Sequence, residues 1–232
     1  MAMIQQNISR IFSDISLICQ KLGRNPKEIT IVAATKYASK EQLKEVINAG
    51  ITHIAENKVQ EACEKYHDIK TAFPQAVRHM IGHLQTNKVK DALEIFDIIQ
   101  TVDSIKLVEE IEKQSTRMDK TAEVLLQINT AKEAQKSGIL EKEFMPLIEK
   151  VANCQHIKVS GLMAIAPLTE NKEIIYDCFR RLRKLKELAA PKFAGSKNID
   201  LKFLSMGMSS DYPIALEEGA NMLRIGSTIF KN

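Results

Sequence analysis

Eight short apolar runs alternate with stretches of helical spacing along this chain, and that alternation restricts the fold more than any single motif. The runs cover residues 29–34, 51–55, 76–81, 95–101, 124–128, 157–163, 201–204 and 221–225. They are rich in Ile, Val, Leu and Ala, as strands buried on both faces are. Between them, residues 40–48, 58–69, 87–94, 105–114, 141–152, 172–188 and 213–218 read as helices. Asp103 is the expected cap of helix 105–114, and Pro146 requires the first turn of its helix or a kink. No linker or compositional break divides the chain, so the expectation is an α/β fold: a single parallel (β/α)8 TIM-type barrel over residues 1–232. A doubly wound open sheet is the alternative, but its Gly-rich fingerprint is missing after the first strand.

An additional N-terminal helix is marked by Ile4, Ile8, Ile11, Ile15, Ile18 and Leu22, three and four residues apart. The sequence stops at Asn232, too soon after the last strand for a full eighth helix. The opening helix is therefore expected to cover the gap in the outer ring.

With 232 residues, 44% hydrophobic and 27% charged, the chain can bury a sizeable core. Net charge is only +4, and the densest basic run, Arg180–Glu187, keeps leucines at helical spacing. It reads as a solvated helix face, without the interleaved aromatics of a stacking platform, so no nucleic-acid partner is expected. Cys19, Cys63, Cys154 and Cys178 are far apart and form no Cys-x-x-Cys pair, which suits a reducing, cytoplasmic compartment. Residues 1–22 contain Arg10, Asp14 and Lys21 and do not read as a signal peptide; no run of 18 apolar residues predicts a membrane span.

Barrel chemistry sits at the C-terminal strand ends. The first strand delivers Lys36 out of an apolar run, where desolvation would make its amine a nucleophile suited to Schiff-base chemistry; the plainer reading is a lysine that snorkels to the surface. The seventh and eighth strands are followed by Gly207, Ser209 and Ser210, and by Gly226, Ser227 and Thr228. Glycine and hydroxyl residues there suit a phosphate, although N-capping by itself explains at least one of Ser209 and Ser210. Arg224 lies within a mostly apolar strand and needs an anionic or acceptor partner, a salt bridge to Glu217 or Glu218 being the simplest. His79 and His83 have the spacing of helical metal ligands but fall on a strand, so no metal is expected. No Gly-x-Ser-x-Gly elbow supports a Ser-His-Asp triad. Two chemistries fit these residues: a lysine aldolase acting on a phosphorylated sugar, or a pyridoxal phosphate site.

The segments Ala34-Thr35-Lys36, Ala55-Glu56-Asn57-Lys58-Val59-Gln60-Glu61 and Arg78–Lys88 resemble the pyridoxal phosphate homeostasis proteins. So do Asn129-x-x-x-Glu133-x-x-Lys136-x-Gly138, Gly161-Leu162-Met163, Leu204–Ser209 and Arg224-Ile225-Gly226, in order to near the end of the chain. The resemblance implies a barrel like the N-terminal domain of alanine racemase, with pyridoxal 5'-phosphate as cofactor, held as a Schiff base on Lys36. It further implies that Arg224 faces the pyridine nitrogen, that Ser209, Gly226 and Ser227 hold the phosphate, and that Asn57 lies beside the cofactor. Arginine keeps that nitrogen unprotonated and the ring a weak electron sink. Ala55 stands where the family usually has glycine, and its methyl group is expected to crowd the loop that carries Asn57.

A two-base racemase needs an acid–base group on each face of the cofactor. In alanine racemase the second is a tyrosine from an additional C-terminal domain of the partner subunit, and no such domain is expected here. Tyr37, Tyr66, Tyr176 and Tyr212 are the only tyrosines, none expected across the barrel from Lys36. No catalytic residue is therefore assigned. The expectation is a carrier that buffers and delivers pyridoxal phosphate to apoenzymes, as a monomer or weak homodimer, with indirect effects on amino-acid and keto-acid pools. The alternative is an amino-acid racemase or decarboxylase with a second base not recognised in the sequence.

Overall fold

The computed structural model describes residues 2–131 and 137–231. Its strands are β1 (Thr30–Ala34), β2 (His53–Glu56), β3 (Val77–Met80), β4 (Ile98–Val102) and β5 (Ala122–Asn129), then β6 (Ile139–Leu140), β7 (Ile157–Met163), β8 (Ile199–Ser205) and β9 (Met222–Ile225). The order β4-β3-β2-β1-β9-β8-β7-β5, closed by a β4–β5 pairing, is an eight-stranded barrel. Its pairings are parallel throughout. The two-residue β6 pairs with β5 outside the ring and has no counterpart among the apolar runs. Glu133 and Lys136 of the Asn129–Gly138 segment lie outside the described residues.

Surrounding the barrel are α1 (Ala2–Lys21), α2 (Lys40–Asn48), α3 (Val59–Ala72), α4 (Val89–Ile95), α5 (Ile105–Arg117), α6 (Glu141–Ala152), α7 (Lys172–Ala189), α8 (Tyr212–Glu217) and the single turn α9 (Ser227–Phe230). Helix α1 buries Ile4, Ile8, Ile11, Ile15 and Cys19 and packs against α2, α8 and α9, filling the outer ring where α9 is too short. Each fully buried isoleucine contributes about 1.5–3 kcal/mol. Asn7 Nδ2 adds hydrogen bonds to the Ile229 and Lys231 carbonyls at 3.2 Å each.

One local reading changes and another narrows. Ser104, not Asp103, caps α5: its hydroxyl accepts from the Leu107 N–H, which leaves Asp103 free to face His83. Pro146 lies beyond the first turn of α6, on its exposed side, where the carbonyl it leaves without a helical donor, that of exposed Lys142, can be solvated. The basic run of α7 is largely paired, Arg180 and Arg183 with Glu218 and Arg181 with Glu141, which suits a helix face better than a polyanion patch.

Alternating strand residues face two different cores. Ile31, Ala33 and Ile54 belong to the large cluster between sheet and helices. Val32, Ala55, Ile98, Leu125, Met163 and Met222 form a second cluster inside the barrel.

Candidate functional site at the C-terminal mouth of the barrel

Strand β1 lies between β2 and β9, with Val32 opposite Arg224 and Ala34 opposite Ala55. This register brings residues near 36, 57 and 226 to one mouth of the barrel, although they are far apart in sequence. A cavity of about 520 Å³ opens there, and its wall includes Lys36, Ser209, Arg224, Gly226 and Ser227. Asn57 lines a neighbouring cavity of about 270 Å³, together with Gly82, Gln127 and Asn129.

The backbone at Lys36 is held from behind. Lys65 of α3 donates to Glu56 Oε1 at 2.9 Å, to the Thr35 carbonyl at 3.0 Å and to the Lys36 carbonyl at 3.3 Å. The Thr35 hydroxyl lies 3.0 Å from both Glu56 Oε1 and the Ala55 carbonyl, and 3.3 Å from the Tyr66 hydroxyl. Burial pushes the Tyr66 phenol far up, so it stays a neutral partner. The Lys36 side chain is not enclosed by the apolar run: β1 ends at Ala34, residues 36–37 form a turn, and the ammonium is exposed, 4.8 Å from the Tyr37 ring centroid. Of the two readings of this lysine, the plainer one holds in this arrangement: the strand ends two residues before it, and the side chain reaches the surface.

Arg224 is the opposite case, with only 4% of its surface exposed. Its Nη1 donates to Ser205 Oγ at 2.7 Å and its Nη2 to the Ala164 carbonyl at 2.8 Å. The expected salt bridge to Glu217 or Glu218 is replaced by these neutral acceptors: Glu217 accepts from the Tyr176 hydroxyl and Glu218 pairs with Arg180 and Arg183. Burial lowers the Arg224 pKa to about 10, partly offset by the charge of Asp211, itself pushed up by burial. The guanidinium stays a cation at neutral pH.

Neither serine after β8 caps α8; Asp211 occupies that position, and its Oδ1 accepts from the Met208 N–H at 2.5 Å. Ser209 Oγ instead accepts from the Thr228 N–H at 3.2 Å, tying the two polar loops together. Gly207, at φ +94°, lies at the start of the first of these loops, and its carbonyl accepts from the Arg224 N–H at 2.9 Å. A Cβ on Gly226 would meet Ala34 at 3.3 Å, so glycine lets the last loop lie against β1. The N–H groups of Gly226 and Ser227 precede the hydrogen-bond ladder of α9.

Gly82 has a related role. A Cβ there would come within 2.0 Å of the Asn57 carbonyl oxygen, so the loops after β2 and β3 pack at backbone distance. The Ala55 methyl lies in the interior cluster with Val32 and Ile98, below the loop it was expected to crowd. His79 and His83 do not share a site: His79 is fully buried in the barrel and His83 is exposed, 3.6 Å from Asp103.

Sequence reasoning did not single out Tyr37, Gln42 or Phe230, which also line the larger cavity, or the buried Gln100 behind Arg224. The only signal for Gln100 was a polar residue within the run Ile98-Ile99-Gln100-Thr101.

Fold and site together define a class. Residues 7–232 match the family model for the alanine racemase N-terminal domain. The chain is 34% identical over 225 residues to the pyridoxal phosphate homeostasis protein of Aquifex aeolicus, covering 97% of this chain and 96% of that protein. It is 35% identical over 232 residues to the protein of the same name from Vibrio alginolyticus, covering 99% and 97%. Among solved structures, PipY of Synechococcus elongatus with PLP bound is similar at a TM-score of 0.83 and 28% identity, covering 98% of this chain and all of that one. Alanine racemase of Clostridium difficile shares the fold, at a TM-score of 0.77 and 13% identity over 57% of its own length. The chain belongs to the pyridoxal phosphate homeostasis protein family, within the alanine racemase N-terminal domain class.

Proposed function

We propose that this protein binds pyridoxal 5'-phosphate reversibly on Lys36 and serves as a carrier in intracellular homeostasis of that cofactor. The single observation that carries the reading is the shared wall of one cavity: an accessible lysine, a buried arginine and two hydroxyl–glycine loops. The residues fit the group. At about 520 Å³ the cavity lies within the range of small-ligand sites, roughly 300–1,000 Å³.

When bound, the cofactor supplies an aldehyde for an amine and an electron-withdrawing ring. Lys36 supplies that amine, on a backbone held by Lys65 and Glu56. Arg224 would donate an N–H to the ring nitrogen and, being cationic, keep a proton off it. Ser209 and Ser227 offer hydroxyls to the phosphate, and the amides of Gly226 and Ser227 offer N–H groups. Asn57 would approach the same ligand from the adjoining cavity. The phosphosugar aldolase alternative has no support from the family to which the chain belongs.

The cavity wall also favours carrier over catalyst. Besides Lys36, the described ionisable groups lining it are Tyr37, Arg224 and Lys231. Tyr37 sits beside Lys36 on the same turn, not on the opposing face that a two-base mechanism requires. None of the four cysteines is in a disulfide, in keeping with a reducing cytoplasm, and none of the described helices is long and apolar enough to cross a membrane. Apoenzymes would receive the cofactor, with residues 1–232 acting as one binding unit, monomeric or in a weak homodimer. The test is the absorption spectrum with added pyridoxal phosphate, before and after borohydride, followed by mass mapping. A phosphopyridoxyl group on Lys36 is expected. Protein that takes up no cofactor ends the reading, and turnover of amino acids at enzymatic rates, abolished by Lys36→Ala, replaces the carrier with an enzyme.

A further inference from the structure

Behind Arg224 a line of buried polar side chains crosses the barrel interior. Ser205, Gln100 and His79 are each fully buried, on β8, β4 and β3. Ser205 Oγ lies 2.6 Å from Gln100 Oε1, Gln100 Nε2 is 2.8 Å from His79 Nδ1, and His79 Nε2 is 2.9 Å from His53 Nδ1. His53, half-buried, is the first residue of β2, so the line runs from the cavity to the N-terminal end of the barrel. It passes beside the apolar cluster of Val32, Ile98, Leu125 and Met163.

The direction of these bonds follows from chemistry. A guanidinium has donors and no acceptor, so the Ser205 oxygen must accept from Arg224. The one proton of that hydroxyl then goes to Gln100 Oε1, which turns the amide N–H2 toward His79. His79 Nδ1 must accept, leaving its proton on Nε2 to be donated to His53 Nδ1. Such an array requires a neutral His79, and full burial beside His53 holds its pKa well below the usual value. Any reversed member would set two donors or two acceptors face to face, at a cost no buried site absorbs cheaply.

We propose that Ser205, Gln100, His79 and His53 are positioning residues: a one-way hydrogen-bond array that fixes Arg224 as a donor to the ring nitrogen of the bound cofactor and so sets discrimination for that nitrogen. The inference rests on the pyridoxal phosphate reading of the cavity. It assigns a function to buried polar groups that an apolar core of the same shape would not need.

Two measurements test it. The first needs no cofactor: nitrogen-15 NMR of the histidine rings at neutral pH should show His79 and His53 both protonated at Nε2 and bare at Nδ1. A proton on Nδ1 of His79 overturns the array. The second compares equilibrium binding of pyridoxal phosphate with that of its 1-deaza analogue, in which a C–H replaces the ring nitrogen. Wild type should prefer pyridoxal phosphate by on the order of tenfold, the worth of one buried hydrogen bond. Gln100→Leu should lose most of that preference while still binding the analogue. Ser205→Ala should do the same and Ser205→Thr, which keeps the hydroxyl, should restore it, so the test survives if Gln100→Leu does not fold. Equal weakening of both ligands in these variants reduces the array to a structural role and overturns the inference, as does wild type without a preference. Wild type that binds neither compound overturns the proposed function itself, and the inference with it.

Discussion

Two cations meet the same cavity under opposite conditions. Lys36 holds its ammonium in solvent against the Tyr37 ring, whereas Arg224 is 4% exposed and hydrogen-bonded to a hydroxyl and a carbonyl. The difference matches the work proposed for each. An amine that must form and release a bond has to lose its proton and reach its partner, which a solvated lysine on a clamped backbone can do. A cation that only has to present one N–H in a fixed direction gains from burial, because desolvated and pre-ordered donors bind more strongly. Substitutions at Lys36 should therefore change binding without stability, and those around Arg224 should change both.

The largest expected effect falls on the clamp behind Lys36. Lys65→Met leaves the fully buried Glu56 carboxylate without its cation, and chemical denaturation should show a loss of about 3 kcal/mol. A loss below about 1 kcal/mol would mean that Glu56 is held by Thr35 alone.

Lys36→Ala removes the amine with its exposed aliphatic arm. Borohydride should then fix no cofactor to the chain, and equilibrium dialysis should show affinity down by at least about a hundredfold, roughly 2.7 kcal/mol. The unfolding midpoint should stay within about 0.5 kcal/mol of wild type, as at other exposed positions. A labelled lysine elsewhere would transfer the role of Lys36 to another residue.

Arg224→Met takes the opposite side. It strips donors from Ser205 Oγ and the Ala164 carbonyl, so stability should fall by about 2 kcal/mol and cofactor retention by about tenfold. Unchanged affinity would show that the arginine serves the barrel and not the ligand.

The interior histidines predict a pH dependence. Burial depresses the pKa values of His79 and His53, so below about pH 6.5 the unfolded chain binds protons that the folded chain does not. Stability should therefore be flat above that pH and fall as pH drops toward 5, by up to about 1.4 kcal/mol per unit for His79. A His79→Gln variant should lose most of that slope in denaturation midpoints measured from pH 7.5 to 5. The same slope in the variant would assign it to groups outside the array. Smallest of all, Ala55→Gly should cost about 1 kcal/mol, from strand entropy and a vacated methyl site, and leave binding unchanged. A change in binding would mean that Ala55 shapes the loop carrying Asn57 after all.

Much of the candidate site was legible at the level of strand ends. Lys36, Ser209, Gly226 and Ser227 could be picked out as polar or glycine residues following apolar runs, and Arg224 as a cation within one. The partners of those residues could not. Helix capping was expected of at least one of Ser209 and Ser210, yet the Ser209 hydroxyl accepts from the Thr228 N–H; a salt bridge was the simplest reading of Arg224, yet its acceptors lie on β8 and after β7. Such pairings depend on which strands become neighbours across the closed barrel, and Gln100 and Ser205, 105 residues apart, carry no local sign of meeting.

Sequence by itself determined the barrel, because eight buried runs separated by amphipathic helices leave few other ways to cover both faces of a parallel sheet. It also determined that the opening helix must serve the outer ring, since its isoleucine stripe had to be buried somewhere. Tertiary structure alone decided which cation is buried and which is free. A lysine two residues past the end of a strand and an arginine one residue before it look alike as strand-end cations in a sequence, yet turn geometry places the first in solvent and closure of the barrel places the second among hydrogen-bond acceptors.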